Sequence, residues 1–503
     1  MSYIYVGVGG SGAKLMQSLV HLTAAGLMPA GGRELKGFLV DPDESNGNVK
    51  ETLTVCGLYS RCKEIKVGDG ATLFQNKLTV RGPWTPVDDD DDTATLESIF
   101  HYDPAKRGDA LETDLMDIFF GAEDRTLSIK QGFRGRPAIG SAVLAEKIDF
   151  TAPFWSELHS AALNARAQEK VGLVLGGSVF GGSGAAGVPT ICRLLKEELN
   201  QHIGDKQLSL ALTLFLPYFT YDKVKRPENQ EAEVLQADPF TFATATAEAL
   251  KYYDDGEFLD ICDALYCVGE RYPAHMPKSA VGAAEQQNPA HFLELVAALG
   301  AIRFWSGEGN RTEKGAVDLA CRTLDEKVMW RDLPTAKALR GEQLARLQQF
   351  ILFCVVYHYQ LCPFTLANLH ERHVITGHLD DVHGDYGGRA QAGVDLQALD
   401  AYVMSFLHWL LSISTFRRAG ASDIVPGLVD VRVFATTDSA RGWRVKTLEE
   451  FKKKQVEELF LNLETKRKPD LRSIWRAVGQ AEKQVQATGA GRHIQAVYDA
   501  CKF

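Results

Sequence analysis

The sequence predicts an α/β fold that is built on a parallel β-sheet. From Ser2 to about Arg271, short aliphatic runs alternate with helical stretches, which is typical of parallel strands joined by helices on both faces of a sheet. Two glycine-rich segments each lie between a strand and a helix with leucines at helical spacing. Strands are predicted at the segments YIYVGV, KGFLVD, KVGLVLGGSVF, LSLALTLFLP and ALYCVGE.

The composition is that of a globular protein with two or three domains. The chain has 503 residues, of which 45% are hydrophobic and 24% charged. Its net charge of −10 argues against nucleic acid as the main partner. The N-terminus lacks a secretory signal pattern, and the longest apolar stretch, near Phe350 to Tyr357, is shorter than the roughly 18 residues of a membrane span. We therefore expect a cytoplasmic protein without a membrane span.

Two clusters of potential metal ligands are better explained as polar surface. Four histidines lie close to aspartates but lack a closed ligand spacing, which favours a polar loop over a metal centre. These histidines are His370, His373, His378 and His383. The acidic run Asp88 to Asp92 favours a solvated loop, with a role as a lid left open. Nine cysteines without a CxxC pair indicate reduced thiols.

The first glycine-rich segment, Val6 to Gly12 (VGVGGSG), ends one strand and opens a helix. Glycines let backbone N–H groups approach phosphate oxygens, and the N-terminus of a helix adds partial positive charge. The same pattern fits the turn of a dinucleotide-binding fold, in which Asp41 would be the expected acidic residue. This segment alone leaves both interpretations open.

The second glycine-rich segment, Gly176 to Ile191 (GGSVFGGSGAAGVPTI), again lies between a strand and a helix. A dinucleotide site does not require it, whereas two such turns suit a triphosphate that is held from two sides of one sheet edge. Turns without a ligand would need two conformationally costly loops at equivalent places. We therefore predict that the segments around Ser11 and Ser183 converge in the folded protein.

Five segments together resemble the nucleotide-binding loops of the tubulin/FtsZ superfamily. Gly181 to Val188 (GGSGAAGV) resembles the GGGTGTGAAPV signature loop, and VGVGGSGAKLMQSL resembles the first phosphate loop and helix of FtsZ. FLVDPDESN is similar to the second loop, VNTDAQ, and RGRPAIGSAVLAEK to the third, GANPEIGRQAAEE. FTYDKVKR follows the sugar loop FxFEGRRR. The resemblance covers about 270 to 320 residues, with the segments in the family's order.

The resemblance implies a set of nucleotide contacts. The phosphates would be held by Gly9, Gly10, Ser11 and Gly12 and by Gly181, Gly182, Ser183 and Gly184. Asp41 and Asp43 would lie near the phosphates and their magnesium, Gly135 and Arg136 near the γ-phosphate, and Asp222 and Arg226 on the ribose.

Three positions depart from the family pattern, namely Glu270, Val296 and Cys321. Glu270 stands where the family has an asparagine that binds guanine. Phe292 would stack on the base as the family aromatic does, although an aromatic residue of a core helix looks the same, and Val296 replaces the polar partner four residues on. In the loop that completes hydrolysis in the next subunit, Asp318 matches the first acid while Cys321 replaces the second. An aspartate at the start of an exposed helix would look identical to Asp318.

The resemblance also divides the chain. Residues 1–287 would form the nucleotide-binding domain with an insertion at about 46–130, residues 288–328 the central helix and catalytic loop, and residues 329–503 a mixed or mainly helical C-terminal domain. The central helix is expected to begin at Asn288, with Pro289 in its first turn. Helices are also expected at GEQLARLQQFILFCVVYHYQL, LQALDAYVMSFLHWLLSIS and LEEFKKKQVEELFLNLETK, with a strand at VDVRVFATT.

The function implied by the resemblance is that of a GTP-binding protein that uses GTP/GDP and Mg²⁺, assembles into homo-oligomeric filaments and completes GTP hydrolysis between subunits. An alternative is a nucleotide-sensing or partner-binding module that neither polymerises nor hydrolyses. A dinucleotide-dependent dehydrogenase is a third interpretation, which the second glycine-rich segment disfavours.

Overall fold

The computed structural model describes most of the chain. The described residues are 2–29, 34–65, 67, 72–87, 94–108, 110–130, 132–163, 171–201, 208–221, 241–256, 258–270, 273–276, 287–308, 328–367, 386–415, 427–438, 442–463, 468–481, 484–487 and 489–502.

The described residues form ten strands, six of which make one parallel sheet. In chain order the strands are β1 (Ser2–Val8), β2 (Glu34–Val40), β3 (Lys77–Trp84), β4 (Val171–Ser178), β5 (Leu208–Phe215), β6 (Phe219–Tyr221), β7 (Ala264–Val268), β8 (Ala274–Met276), β9 (Ala435–Asp438) and β10 (Gly442–Val445). The main sheet has the order β3-β2-β1-β4-β5-β7, and all its neighbouring strands are parallel. The predicted parallel α/β sheet is therefore confirmed.

Helices cover both faces of this sheet and form most of the C-terminal part. They are α1 (Gly9–Ala24), α2 (Gly47–Glu64), α3 (Leu96–Ile99), α4 (Leu111–Phe119), α5 (Ala122–Thr126), α6 (Pro137–Lys147), α7 (Pro153–Leu163), α8 (Gly182–Asn200), α9 (Phe242–Asp255), α10 (Phe258–Ile261), α11 (Phe292–Trp305), α12 (Arg340–Val356), α13 (Cys362–Ala367), α14 (Tyr386–Thr415), α15 (Leu471–Ala481) and α16 (Gly489–Ala500). A π-helical turn, Tyr357–Leu361, joins α12 to α13.

The sheet separates two hydrophobic cores. Alternate side chains of β1 enter opposite cores, with Tyr3 and Tyr5 on one face and Ile4, Val6 and Val8 on the other. The core on the Tyr5 face contains side chains of α1, α2, α11 and the C-terminal helices. The other core contains side chains of α6, α7 and α8. Burial on both faces explains why β1 is almost continuously apolar.

The structure corrects the prediction that residues 46–130 are wholly an insertion. Helix α2 packs on α1, and β3 pairs with β2 as the edge strand of the main sheet. The strand was not recognised because its side chains are partly exposed and it contains Pro83, which sheets tolerate at an edge. The segment outside the sheet therefore begins after Trp84, and the other domain boundaries remain predictions.

The central helix begins later than predicted. Helix α11 starts at Phe292, and His291 caps it: Nδ1 of His291 accepts from the backbone N–H of Leu293 (3.2 Å), and Glu294 Oε2 accepts from the backbone N–H of His291 (3.0 Å). The carbonyl groups of Asn288 and Pro289 instead accept hydrogen bonds from Lys14 Nζ, at 2.6 and 2.8 Å. This contact with α1 holds the two residues outside the helix.

Two predictions for the C-terminal part are also corrected. The segment LEEFKKKQVEELFLNLETK does not form a long helix in its described residues, where only a 3₁₀ turn, Lys453–Glu458, is present. Its buried residues Phe451, Val456 and Phe460 do not fall on one face of an α-helix. The predicted strand VDVRVFATT begins with a 3₁₀ turn, Val431–Val433, and becomes extended only in β9.

Two helical stretches, Arg340–Ala367 and Gln391–Thr415, are long and apolar enough to cross a membrane by length and composition. Of their most apolar windows, 67% and 56% are buried inside the protein. Core helices of soluble proteins pass the same test, so the two helices are weak evidence for a membrane span.

His21 connects helix α1, which packs on the sheet, to helix α14 of the C-terminal part. It lies on α1 and is fully buried, with its Nδ1 3.0 Å from the hydroxyl of Tyr402 on α14 and its ring against Phe406 and Trp409. Burial lowers the pKa of His21 to about 3, so this histidine is neutral in the folded protein.

We predict that His21 makes the fold sensitive to acid. Below pH 6.5 the unfolded chain binds a proton at this residue and the folded chain does not, so stability that is complete above pH 6.5 is lost as the pH falls. The expected loss is about 1.4 kcal/mol per pH unit between pH 6 and 4. Urea unfolding across this range should show a shallower pH dependence for His21→Gln than for the wild type. His101→Gln, at an exposed position, is the control; equal slopes for His21→Gln and wild type would contradict the prediction.

Candidate functional site

The strand order reverses between β1 and β4. From β1 the chain first adds β2 and β3 on one side and then returns to add β4, β5 and β7 on the other. The helices that follow β1 and β4 pack on opposite faces of the sheet, which opens a crevice at the carboxyl ends of these strands. Ligands of open parallel sheets bind at this kind of position. Both glycine-rich segments lie there.

The two glycine-rich segments touch each other. Gly9 has a φ of +72°, and a Cβ atom placed on it would lie 3.3 Å from Ser183 Cβ and 3.5 Å from the backbone N of Gly184. A Cβ on Gly12 would lie 2.6 Å from the carbonyl oxygen of Gly176 on β4. The structure thus brings together the segments around Ser11 and Ser183, and only glycine permits the close approach of α1 to β4.

A third segment, around Gly135, lies against the second of the two glycine-rich segments. We call the space that these three segments surround the cradle. Gly135, with a φ of +78°, has its backbone N 2.8 Å from the position of a Cβ on Gly182. Helix α6 begins two residues after Gly135, with Pro137. Arg136 is partly buried and forms an ion pair with Asp124 on α5. Gly135 therefore lies beside the second glycine-rich segment, and its predicted position near the γ-phosphate stays a prediction.

Three helices begin at this cradle without a side-chain cap. The residues that precede α1, α6 and α8 are Val8, Arg136 and Gly181, and none of them accepts a hydrogen bond from the first turn of its helix with a side chain. The first N–H groups of a helix need external acceptors, and the helix dipole adds positive potential there. The cradle can therefore hold an anion with several acceptor oxygens.

Asp41 and Asp43 follow β2 and are both buried. Asp41 accepts hydrogen bonds at Oδ1 from the backbone N–H of Asp43 (3.0 Å) and at Oδ2 from Asn46 Nδ2 (3.1 Å). Burial, reinforced by the nearby charge of Asp43, raises the pKa of Asp41 to about 7 although these hydrogen bonds oppose the shift. Carboxylate oxygens are ligands that Mg²⁺ prefers, but both oxygens of Asp41 accept hydrogen bonds within this segment.

Two asparagines next to this pair were missed from sequence. Asn46 caps α2 by accepting from the backbone N–H of Asn48 (2.9 Å). A Cβ on Gly10 would lie 3.0 Å from Asn48 Nδ2, and Asn48 Oδ1 accepts from the backbone N–H of Asn288 (2.9 Å). The signal was the pair of asparagines at the start of a helix directly after the acidic segment.

A buried polar network, also missed from sequence, lies behind the first glycine-rich segment. Lys14 Nζ is 3.8 Å from Glu294 Oε1, and both side chains are buried. The hydroxyl of Tyr218 is 3.2 Å from the same Glu294 oxygen and 3.4 Å from Ser11 Oγ. Burial raises the pKa of Glu294, while the charge of Lys14 acts in the opposite direction. The network links Ser11 to the start of α11.

Among the remaining residues predicted to contact the nucleotide, some are not placed together with the cradle, and others lie outside the described residues. Phe292 is buried and lines a small apolar cavity with Trp330 and Leu347, which favours packing over the predicted contact with a base. Glu270 follows β7 at the same edge of the sheet, and its backbone N–H bonds the carbonyl of Pro217 (3.2 Å). The residues outside the described ranges are Asp222, Arg226, Asp318, Cys321, the acidic run Asp88 to Asp92 and the four clustered histidines.

Within the described ranges, no group of three or more His, Cys, Asp or Glu side chains is arranged to hold a metal ion. The cation site that the carboxylates suggest would therefore depend on Asp41 and Asp43 together with oxygen ligands from phosphate or water.

Comparison with known proteins gives a remote likeness to solved structures. No model of a known protein family matches the chain, and no curated protein matches it. Among solved structures it is similar to CetZ2 from Haloferax volcanii, described as a GTPγS-bound protofilament, with 14% sequence identity and a TM-score of 0.26. The match covers 61% of this chain and 59% of that chain.

We predict that the Lys14–Glu294 pair behaves as a coupled unit. Glu294→Gln leaves a buried ammonium without its counter-charge, which should lower the free energy of unfolding by about 3 kcal/mol in urea titrations. The double substitution Lys14→Met with Glu294→Leu removes both charges and should recover most of that loss. Glu112→Gln, at an exposed position, is the control. A double variant that loses as much stability as Lys14→Met and Glu294→Leu lose in sum, each made singly, would contradict the coupling.

Proposed function

We propose that this chain is a nucleotide-binding protein of the tubulin/FtsZ type that holds the phosphates of GTP or GDP in the cradle between β1 and β4. The observation that supports the proposal most strongly is the convergence of three uncapped helix N-termini on glycine-lined turns at the point where the strand order reverses. A polyphosphate supplies the acceptor oxygens and the negative charge that these termini need.

In this proposal the phosphates are held by backbone N–H groups and small hydroxyls rather than by a lysine. Ser11 and Ser183 lie in the two glycine-rich turns, where their hydroxyls add donors to the backbone groups. Lys14 is the nearest lysine along the chain, but its ammonium bonds the carbonyls of Asn288 and Pro289. Lys14 is therefore assigned to structure and not to the phosphates.

Asp41 and Asp43 are proposed to hold the Mg²⁺ that accompanies the phosphates. A bound cation would favour the ionised carboxylates and offset the effect of burial on Asp41. When bound, the ion would neutralise phosphate charge. The asparagines that bond or adjoin these carboxylates would keep the segment oriented toward Gly10.

The guanine base, the ribose contacts and hydrolysis are proposed from the motif series. Glu270 would accept hydrogen bonds from the base, and Asp222 with Arg226 would bind the ribose. Asp318 of one subunit would act at the γ-phosphate of the next subunit, in cytoplasmic filaments of identical chains. The presence of Cys321 in place of the second acid favours a second candidate function, a nucleotide sensor that does not polymerise.

We predict that Ser183→Glu abolishes nucleotide binding without unfolding the protein. The substitution places a carboxylate where phosphate oxygens are proposed to lie, and repulsion should weaken GTP binding at least about 100-fold in calorimetric titrations. An acidic residue in the first turn of a helix is compatible with the helix dipole, so the melting temperature should stay near that of the wild type.

The matched control for this experiment is Ser473→Glu, which makes the same change in the exposed first turn of α15. It should leave GTP affinity unchanged. Unaltered GTP affinity in Ser183→Glu, or tight binding of a nicotinamide dinucleotide by the wild type, would contradict the proposed site.

We predict that GTP with Mg²⁺ induces assembly and that GDP does not. Light scattering should rise after GTP addition and decay as phosphate is released. Asp318→Ala should lower phosphate release at least about tenfold while scattering persists, because the acid would position the attacking water. GTP binding without any increase in scattering would instead favour the nucleotide-sensing function.

A further inference from the structure

An ion pair connects helix α5 to the cradle. Arg136 follows Gly135 and precedes α6, and its guanidinium contacts the carboxylate of Asp124 on α5. In the part of the chain that the structure describes, neither charge has another ion-pair partner. The two side chains are 25% and 34% exposed, so an anion from solvent can reach this guanidinium.

The turn that ends at Arg136 follows the second glycine-rich segment closely. A Cβ on Gly132 would lie 4.0 Å from Ser183 Oγ. Gly135, one residue before Arg136, has its backbone N 2.8 Å from the position of a Cβ on Gly182. Consecutive Cα atoms are about 3.8 Å apart, so the backbone of Arg136 lies at the rim of the cradle. Its flexible side chain can direct the guanidinium either to α5 or to the cradle.

The neighbouring Arg125 fixes the position of α5 through other carboxylates. Arg125 is buried and pairs with Asp117 of α4 (2.9 Å) and with Glu97 of α3 (3.4 Å). These two carboxylates neutralise the charge of Arg125. The charge of Asp124 is therefore left to act on Arg136 and on the cradle beside it.

We propose that Asp124 controls the affinity of the cradle for polyphosphates by holding the guanidinium of Arg136. A planar guanidinium binds a carboxylate or a phosphate with the same N–H donors, so the two anions compete for it. In the structure Asp124 has these donors. A polyphosphate in the cradle would take them and leave Asp124 without its counter-charge. The inference rests on the proposed function, because it takes the cradle as the phosphate site, and it adds the residue that regulates this site.

The competition also couples α5 to the occupancy of the cradle. Phosphate binding would remove the ion pair that attaches α5 to the start of α6. By linkage, a contact that draws α5 away from Arg136 would raise the affinity for phosphate by the same factor. Helices α3 and α4, which Arg125 ties to α5, are the part of the chain through which such a contact would act.

The first test is calorimetric titration of the full chain with inorganic tripolyphosphate and, separately, with GTP, each with Mg²⁺. Asp124→Asn should bind both at least about threefold more tightly than the wild type, because a competing negative charge is removed. Glu123→Gln removes the same charge at the exposed neighbouring position and should leave both affinities unchanged. Asp124→Glu keeps the carboxylate and should bind like the wild type. Equal affinities in Asp124→Asn and Glu123→Gln would overturn the proposal.

The second test removes the cation. Arg136→Gln should weaken tripolyphosphate binding at least about tenfold, because it deletes the guanidinium that phosphate would take from Asp124. Arg472→Gln makes the same change at an exposed position on α15 and should leave the affinity unchanged. An Arg136→Gln variant that binds tripolyphosphate like the wild type would show that phosphate does not use this guanidinium, and the proposal would fail.

The third test measures hydrogen exchange at the backbone amides of α5, Ala122–Thr126. Saturating tripolyphosphate should speed this exchange at least about twofold in the wild type, because the ion pair that attaches α5 is then broken. Asp124→Asn should exchange at the faster rate with or without tripolyphosphate. Exchange that does not change when the wild type binds tripolyphosphate would show that Asp124 and Arg136 stay paired, which contradicts the competition.

The two titrants separate this inference from the proposed function. If no variant binds GTP while Asp124→Asn still tightens tripolyphosphate binding, the nucleotide assignment fails and the control of the cradle by Asp124 stands. If the wild type binds GTP and Ser183→Glu abolishes this binding, but Asp124→Asn behaves like Glu123→Gln, the nucleotide site stands and the inference fails.

Discussion

The close approach of helix N-termini to the carboxyl edge of the sheet is the constraint on which the site depends. Helix α1 can lie against β4 only because Gly12 has no side chain, since a Cβ there would be 2.6 Å from the carbonyl oxygen of Gly176. Gly184 plays the same part for α8, where a Cβ would be 2.4 Å from the carbonyl oxygen of Ser178. A methyl group at either position would push backbone away from backbone, and the cradle would lose its shape.

The same packing explains how the cradle is tied to the rest of the molecule. Lys14 lies on α1 two residues after Gly12, and its Nζ donates hydrogen bonds to the carbonyls of Asn288 and Pro289. Glu294 offsets the buried positive charge of Lys14. The hydroxyl of Tyr218 contacts both Glu294 and Ser11, and so connects the pair to the first glycine-rich segment. Further along α1, His21 contacts α14. One helix therefore connects the phosphate cradle, the central helix and the C-terminal part.

The elements predicted correctly are those whose local pattern is strong. Strands β1, β2, β4 and β5 were recognised because parallel strands that are largely buried on both faces are nearly continuous apolar runs. The edge strand β7 was recognised because its segment ALYCV is apolar although it is partly exposed. Strand β3 was missed because its sequence KLTVRGPW is half polar, and α11 was started at Asn288 because a contact from distant Lys14 is invisible locally. Phe292 shows the same limit, since an aromatic residue at helical spacing has the same appearance in a core and in a binding site.

The sequence by itself determined the alternation of strands and helices, the two glycine-rich turns and the acidic segment after β2, because each depends on neighbours along the chain. Only the tertiary structure decided that β1 and β4 are adjacent, that Gly9 meets Ser183 and that Gly135 meets Gly182. It also decided that Lys14 pairs with Glu294 and that large apolar side chains of α4, such as Ile118 and Phe119, are left exposed. These facts depend on strand order and on contacts between residues far apart in the chain, which local periodicity does not encode.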